Sequence, residues 1–329
     1  MAVLKKKTFS VVDMHTAGEP TRIVSSFPEV KGRSMIEIKE KLETKHDWLR
    51  QFLMREPRGH SDMFGAILFP PRRAECDLGV VFMHNGGYLS MCGHGTIGVV
   101  ACAVKTGMVR PKNEIALDTP AGVVKTRIKH RGRNVESVTF QNVPAFKLMH
   151  TTIKSPKELE VDIAFGGNFF ALVKAEEAGI SIDTTQKRSI IDLGLQIRET
   201  VNSQERIVHP EITSINRVEL VEFYGPSREE GVHAQNVVVF GQGAIDRSPC
   251  GTGTCAKMAV LHSEGKLRIG ETFVHESIIH TKFRGRLVSE TKVGPYSAVI
   301  PEITGSAYIT GFNKLIYEEN DPLSSGFLL

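Results

Sequence analysis

"MCGHGTIGVVACAVKTGMV", residues 91–109, sets a cysteine and a histidine in a glycine-rich turn that runs into an apolar stretch and closes on Lys105, Thr106 and Gly107. Those boundary signals predict a helix starting at or just after Cys92, with Gly107 in the left-handed position that ends many helices. Alone, the stretch leaves Cys92 open as ligand, nucleophile, base or inert thiol. A second stretch, "CGTGTCAKMAVLHSEGKL" from Cys250, narrows the choice. Both copies begin Cys-Gly-x-Gly-Thr, both place alanine nine residues on (Ala101 and Ala259), and both place glycine fifteen residues on (Gly107 and Gly265). The offset is 158 residues throughout, and each copy follows a strand-like run with a phenylalanine and then a glycine turn. Repeats of this kind are the signature of a duplicated supersecondary unit. The expected architecture is two related α/β domains.

That arrangement carries chemistry. A helix N-terminus offers unpaired N–H groups and a partial positive charge, which suit a carboxylate. The same field lowers a thiol pKa from about 8.5 toward neutrality. Two domains facing each other would bring two cysteines to one cleft. There one thiol can remove the proton beside a substrate carboxylate and the other can return a proton to the opposite face, inverting the centre. Asp246, in "DRSPC", either caps a turn or binds a substrate ammonium. His94 orients the same ammonium, tunes the thiol, or does neither. Cys76, Cys102 and Cys255 lack the glycine setting and read as buried inert thiols.

Composition excludes other classes. The 329 residues include 41% hydrophobic and 24% charged residues, the balance of ordinary globular proteins, and the length suggests two domains. No apolar run approaches the roughly 20 residues a membrane helix needs. The opening "MAVLKKKTFS" has no apolar h-region, which predicts no leader and a cytoplasmic setting. The net charge of +4 is spread out, and the basic runs at 5–7 and 129–133 are short, so no nucleic-acid partner is expected. Five cysteines without a CxxC pair argue against a disulfide framework, and Cys250 and Cys255 have no nearby histidine to complete a zinc site.

Periodicity supplies the remaining elements. "TFSVVDMHTAGEPTRIV" reads as strand, loop, strand, and "SMIEIKEKLETKHDWLRQFLMREP" as a helix broken near Lys45. "MFGAILF", "CDLGVVFMH", "EIALDTP", "GVVKTRIK", "SVTFQNVPAF", "AFGGNFFALVKA", "VELVEFYG" and "AQNVVVFGQG" read as strands and turns. "RSIIDLGLQIRETVNSQ" reads as an amphipathic helix, and "SAYITGFNKLIYEENDPL" as a strand pair with a loose end.

"MCGHGTIG" and "DRSPCGTGT" together resemble the proline racemase family, which includes proline racemases, 4-hydroxyproline 2-epimerases and trans-3-hydroxyproline dehydratases. "HTAGEPTRIV", "EPRGHSDMFGA", "NVPAF", "VVVFGQG", "EITGSAYITGF" and the "DPL" tail extend the likeness nearly end to end. The resemblance implies a diaminopimelate-epimerase-like α/β fold with two pseudo-symmetric domains, each a curved β-structure around a central helix. On it the first domain is 1–130, rejoined by 305–329, the second is 131–304, and the active site lies in the cleft between. It implies a homodimer, no pyridoxal phosphate and no metal. It implies that Cys92 and Cys250 are the thiol pair and that the amides of Gly93, His94, Gly251 and Thr252 hold the substrate carboxylate. Asp246 and the His94 side chain would contact the ring nitrogen, and Phe64 and Phe240 would pack on the ring of proline or hydroxyproline. Many dehydratases of the family carry threonine where this chain has Cys250, and some epimerases serine where it has Cys92, so two cysteines favour inversion. Cys255, where relatives often have serine, and His84 are departures. Dehydration of trans-3-hydroxyproline and 4-hydroxyproline epimerisation are the alternatives, with non-catalytic amino-acid binding a remote one.

Overall fold

The computed structural model describes residues 6–25, 29–154 and 157–329; the start of the basic run at 5–7 lies outside them. The chain divides into two compact units, residues 1–140 with 306–329 and residues 141–305.

In the first unit, β1 (Lys6–Thr16) and β2 (Glu19–Val24) form an antiparallel hairpin around the "AG" turn, where Ala17 and Gly18 both adopt positive φ. Then follow α1 (Met35–Lys45), α2 (Asp47–Met54), β3 (Phe64–Phe69), β4 (Leu78–His84), β5 (Gly87–Leu89) and α3 (Gly93–Lys105). β6 (Glu114–Thr119), β7 (Gly122–Arg131) and β8 (Asn134–Gln141) complete the run. β2 pairs parallel with β3, β3 antiparallel with β4, β4 antiparallel with β5 and parallel with β6, and β6, β7 and β8 form an antiparallel meander. β8 hydrogen-bonds back onto β7, and the first compact unit runs to Phe140. The expected helix break is at His46, which ends α1 and begins α2. The apolar faces of both short helices, Met35, Ile38, Leu42, Leu49, Phe52 and Leu53, share one core with Ile67, Phe69 and Val81 of β3 and β4.

The second unit contains β9 (Phe146–Lys154), β10 (Glu158–Phe165), β11 (Phe169–Lys174), α4 (Ala175–Ala178), α5 (Lys187–Gln204), β12 (Val218–Gly225) and β13 (Ala234–Phe240). β14 (Ala244–Asp246), α6 (Gly251–Ser263), β15 (Thr272–Glu276), β16 (Lys282–Val293) and β17 (Tyr296–Gly305) follow. Its pairing order repeats the first unit's. β10 is antiparallel to β11, β11 parallel to β12, β12 antiparallel to β13, β13 antiparallel to β14 and parallel to β15, and β15, β16 and β17 form a meander. The duplication read from the cysteine motifs is therefore a duplication of topology. α5 takes the place of α1 and α2, with Ile190, Ile197 and Val201 packed among Phe169, Val221, Val237 and Val239.

The last strand, β18 (Ala307–Glu318), pairs antiparallel with β1 and slips register opposite Asp13 and Met14. The tail differs from the expected strand pair and loose end. β18 is one continuous strand, and the residues after it are tied down: the Arg58 guanidinium donates to the carbonyls of Leu323 and Ser324, and Glu56 and Phe327 exchange backbone bonds.

Each cysteine helix is the inner element of its unit. Every residue of α3 from Gly93 to Val104, and every residue of α6 from Gly251 to Val260, is buried. Helices buried all round read as continuously apolar, without a polar face. α3 packs on β1, β2, β3 and β18; α6 packs on β9, β10, β11, β16 and β17. Such enclosure needs small residues at the contacts: a Cβ on Gly95 would lie 2.8 Å from the Phe82 ring. Both helices end alike, with Gly107 at φ 79° and Gly265 at φ 70°. The N–H of Gly107 bonds to Val104 O and that of Gly265 to His262 O, as at a left-handed helix C-cap.

Candidate active site

Both helices begin on a cysteine that serves as its own N-cap. The first intrahelical bond of α3 runs from Thr96 N–H to Cys92 O at 3.0 Å, and that of α6 from Thr254 N–H to Cys250 O at 2.8 Å. In each case the cysteine sulfur accepts the third amide: Gly95 N–H to Cys92 Sγ at 3.3 Å, Gly253 N–H to Cys250 Sγ at 3.4 Å. N-cap side chains are ordinarily hydroxyls or carboxylates. A sulfur in that role sits at the N-terminal end of the helix, where the dipole favours negative charge. Helix geometry leaves the amides of Gly93 and His94, and of Gly251 and Thr252, without an intrahelical acceptor. Each unit thus offers one thiol and two adjacent donors, a set that matches a carboxylate bearing a proton on the next carbon.

In the first unit, the His94 ring comes within 3.4 Å of Cys92 Sγ through Nδ1, and Thr16 Oγ1 donates to His94 O at 3.0 Å, fixing the first turn. Phe64, at the start of β3, meets the His94 ring edge-on at 4.4 Å and lies parallel to the His84 ring at 6.2 Å. Burial pushes His94 down to about 3, and burial with the Arg50 charge pushes His84 down to about 4. Both rings are neutral at physiological pH, so His94 meets the sulfur as a hydrogen-bond partner and not as a cation. Cys92, His94 and Phe64 therefore form one contiguous group.

In the second unit, Cys250 adopts φ +55°, a left-handed conformation that strains a non-glycine residue by about 1–3 kcal/mol. Ser248 holds it there. Its hydroxyl accepts Cys250 N–H at 3.1 Å and donates to Asp246 Oδ1 at 2.7 Å, and Ser248 N–H donates to the same oxygen at 2.8 Å. Asp246 thus caps the turn. It is also buried, and burial pushes its carboxyl up to about 6 against the hydrogen bonds that favour the charge. Thr252 Oγ1 lies 3.7 Å from Cys250 Sγ. Phe240 is half-buried at the end of β13, opposite Ala244 in the hairpin that delivers Asp246.

The expectation that the helix field lowers the thiol pKa does not hold for Cys250. Burial, and next the Asp246 charge, hold this thiol well above its ordinary value, and the Gly253 amide offsets only part of that. Burial likewise pushes Cys76 up to about 11 and Cys102 up to about 12, and raises Cys255 further. What sets Cys250 apart from Cys76, Cys102 and Cys255 is therefore its capping position. The desolvation of a fully buried sulfur exceeds the attraction of one helix end.

Sequence reasoning passed over Ser248, although "DRSPC" contains it, and a polar cluster under α6. Glu222 on β12 is wholly buried, and a Cβ on Gly253 would lie 2.4 Å from its Oε2. Burial pushes this carboxyl up to about 8, with the Lys257 charge and the Asn236 amide offsetting only part. His275 Nε2 lies 3.9 Å from Glu222 Oε1, and its Nδ1 lies 3.0 Å from Thr254 Oγ1, which donates to Pro249 O. No local signal announces this cluster, because its members come from four separate elements, β12, β13, α6 and β15. Among the described residues no group of three or more His, Cys, Asp or Glu side chains is arranged to hold a metal ion, and no helix is long and apolar enough to cross a membrane.

Comparison with known proteins gives this geometry a context. The family model described as proline racemase matches residues 11–328. A proline racemase of Acetoanaerobium sticklandii is 47% identical over 98% of both chains. A 4-hydroxyproline 2-epimerase of Ancylobacter novellus is 41% identical over 99% of this chain and 100% of its own. The crystal structure of a hydroxyproline epimerase from Agrobacterium vitis, with bound trans-4-hydroxy-L-proline, superposes with a TM-score of 0.91 at 30% identity, covering 99% of this chain and 97% of that one.

Proposed function

The chain belongs to the proline racemase family, and from that premise we propose that it inverts Cα of proline or 4-hydroxyproline with Cys92 and Cys250 as a two-base pair and no cofactor. It is an isomerase of the racemase and epimerase kind, with relatives of both activities along its full length. The observation that carries the finer reading is the matched capping of two buried helices by Cys92 and Cys250, each beside two first-turn amides.

In this mechanism the amides of Gly93, His94, Gly251 and Thr252 hold the substrate carboxylate. One sulfur, as thiolate, takes the Cα proton, and the electron pair moves toward the carboxylate, where the helix ends stabilise it. The other sulfur, as thiol, delivers its proton to the opposite face. One S–H forms and one breaks, so the enzyme leaves each turnover with the protonation of its two sulfurs exchanged. The elevated Cys250 thiol suits the donor role at rest. Asp246 and His94 receive the ring ammonium, and a cation at Asp246 offsets the negative charge that raises the Cys250 thiol. Phe64 and Phe240 pack on the ring. Two-base inversion requires that both sulfurs reach the same carbon.

Incubation with L-proline or 4-hydroxyproline in heavy water is expected to give the inverted product carrying deuterium at Cα. Cys92→Ala and Cys250→Ala are each expected to abolish inversion. Full activity in either variant refutes the two-base reading, and absence of exchange with both substrates refutes the substrate assignment.

A further inference from the structure

Gly253, in the first turn of α6, lies between two acids. Its N–H bonds to Cys250 Sγ at 3.4 Å, and a Cβ on it would lie 3.3 Å from that sulfur and 2.4 Å from Glu222 Oε2. The Glu222 carboxyl therefore presses, from the β12 side, on the same glycine that binds the thiol. Its side chain is wholly buried, and neither oxygen has a partner at hydrogen-bond distance among the described residues. The Asn236 amide and the Lys257 charge favour the carboxylate from farther off.

The first unit shows that the fold does not require an acid at this place. β4 meets β6 from Leu78 as β13 meets β15 from Ala234, so Phe82 and Val238 match in position. Ala66 lies opposite Phe82, and Glu222 lies opposite Val238. Gly95 thus meets the Phe82 ring of an apolar pair, where Gly253 meets the carboxyl of an acidic one. Burying a carboxyl is costly, and alanine fills the equivalent position without that cost.

The titratable groups that face Glu222 come from four elements. α6 supplies Cys250, Cys255 and Lys257, β14 supplies Asp246, β15 supplies His275, and β12 itself supplies Tyr224. Burial, and next the Lys257 charge, hold His275 down to about 3, while burial raises Cys255 and Tyr224; all three are neutral from pH 6.5 to 9.5. Burial pushes Glu222 up to about 8 and Lys257 down to about 8.

We propose that Glu222 is a positioning residue that acts on Cys250 across Gly253: the two acids carry at most one negative charge between them, and Cys250 serves as base only while Glu222 keeps its proton. Like charges packed around one buried point cannot both form cheaply. The catalytic consequence rests on the two-base reading, in which each sulfur is the base for one hand of the substrate. Below about pH 8 the neutral Glu222 lets Cys250 take that role, and above it the carboxylate withholds it.

The test measures initial rates of iodoacetamide alkylation, peptide by peptide, on the intact protein and on Glu222→Gln at pH 6.5 and 9.5. The thiolate is the reacting form, so the rate reports its fraction. Lys257 is charged at the first pH and neutral at the second in both proteins, and Cys92, in the other unit, is the internal standard. At pH 9.5 Cys250 is expected to react about tenfold or more faster in Glu222→Gln, and at pH 6.5 within about twofold of the parent, with Cys92 unchanged. An equal gain at both pH values marks loosened packing and overturns the proposal, as does no gain at pH 9.5. The parent alone supplies a second measurement. Between pH 7 and 9 its Cys250 rate is expected to rise by about thirtyfold or less, and the full rise of about a hundredfold, that of a thiol with no titrating neighbour, overturns the proposal. No outcome depends on turnover, so failure here is distinct from failure of the two-thiol reading.

Discussion

Ser248→Ala isolates the device that holds Cys250 in place. The hydroxyl is fully buried and makes two bonds, one accepted from Cys250 N–H and one donated to Asp246 Oδ1. Alanine leaves the Cys250 N–H without its acceptor and removes one of the two donors to that carboxylate oxygen. An unsatisfied buried donor costs about 1–3 kcal/mol, and a bond to a charged group contributes about 1.5–3 kcal/mol. The two share one hydroxyl, so the expected loss is about 2–4 kcal/mol near pH 7.5, read as a lower urea midpoint with an unchanged m-value. Asp246 supplies a second signature. Its folded value of about 6 lies above the ordinary 3.8, so the native state holds this proton more tightly than the unfolded chain. That contribution is present below about pH 3.8 and is lost as pH rises through about 6. Without the Ser248 donor the carboxyl titrates higher still, and the destabilisation is expected to be greater near pH 7.5 than near pH 5, by roughly 1.4 kcal/mol per unit of added shift. A loss under about 0.5 kcal/mol, or one equal at the two pH values, refutes the assignment of Ser248 as the tether.

Glu222 makes a complementary case: its carboxyl is raised to about 8 by burial, so its contribution to stability is lost as pH rises from 4.5 through about 8. Glu222→Gln is therefore expected to be more stable than the parent above pH 8, with the advantage shrinking as pH falls; urea melts at both ends of that range check it. Gly95→Ala places a Cβ 2.8 Å from the Phe82 ring and 3.2 Å from Cys92 Sγ, and overpacking of this kind destabilises by about 1–3 kcal/mol in thermal or urea melts. His94, pushed down to about 3, is expected to show no movement of its ring C–H resonances between about pH 5 and 8, and a titration in that window contradicts its neutral state.

The inversion of pKa logic at Cys250 shows where local reasoning stops. The turn residues of "CGTGT" announce a helix N-terminus, because glycines, a capping side chain and an apolar run are short-range signals. They say nothing of how deeply the sulfur is buried or that Asp246 lies close enough to oppose its charge. Both terms depend on the strands packed around α6 and on the β13–β14 hairpin that brings Asp246 against its first turn. The same limit hid Glu222 and Lys257: each looks ordinary in "VELVEFYG" and "CAKMAV", and only the packing of β12 against α6 puts them on one buried face.

The cysteine-glycine repeat at 92 and 250 determined the duplicated α/β unit and the helix starts and stops, since these follow from residue type and spacing along one chain. Tertiary structure decided the identical pairing order of the two units, the neutral state of His94, the elevated thiol of Cys250, its strained φ held by Ser248, and the burial of the Lys257 ammonium over the Tyr224 ring. Those properties arise from desolvation and from neighbours distant in sequence. They exist only once the strands have closed over each central helix.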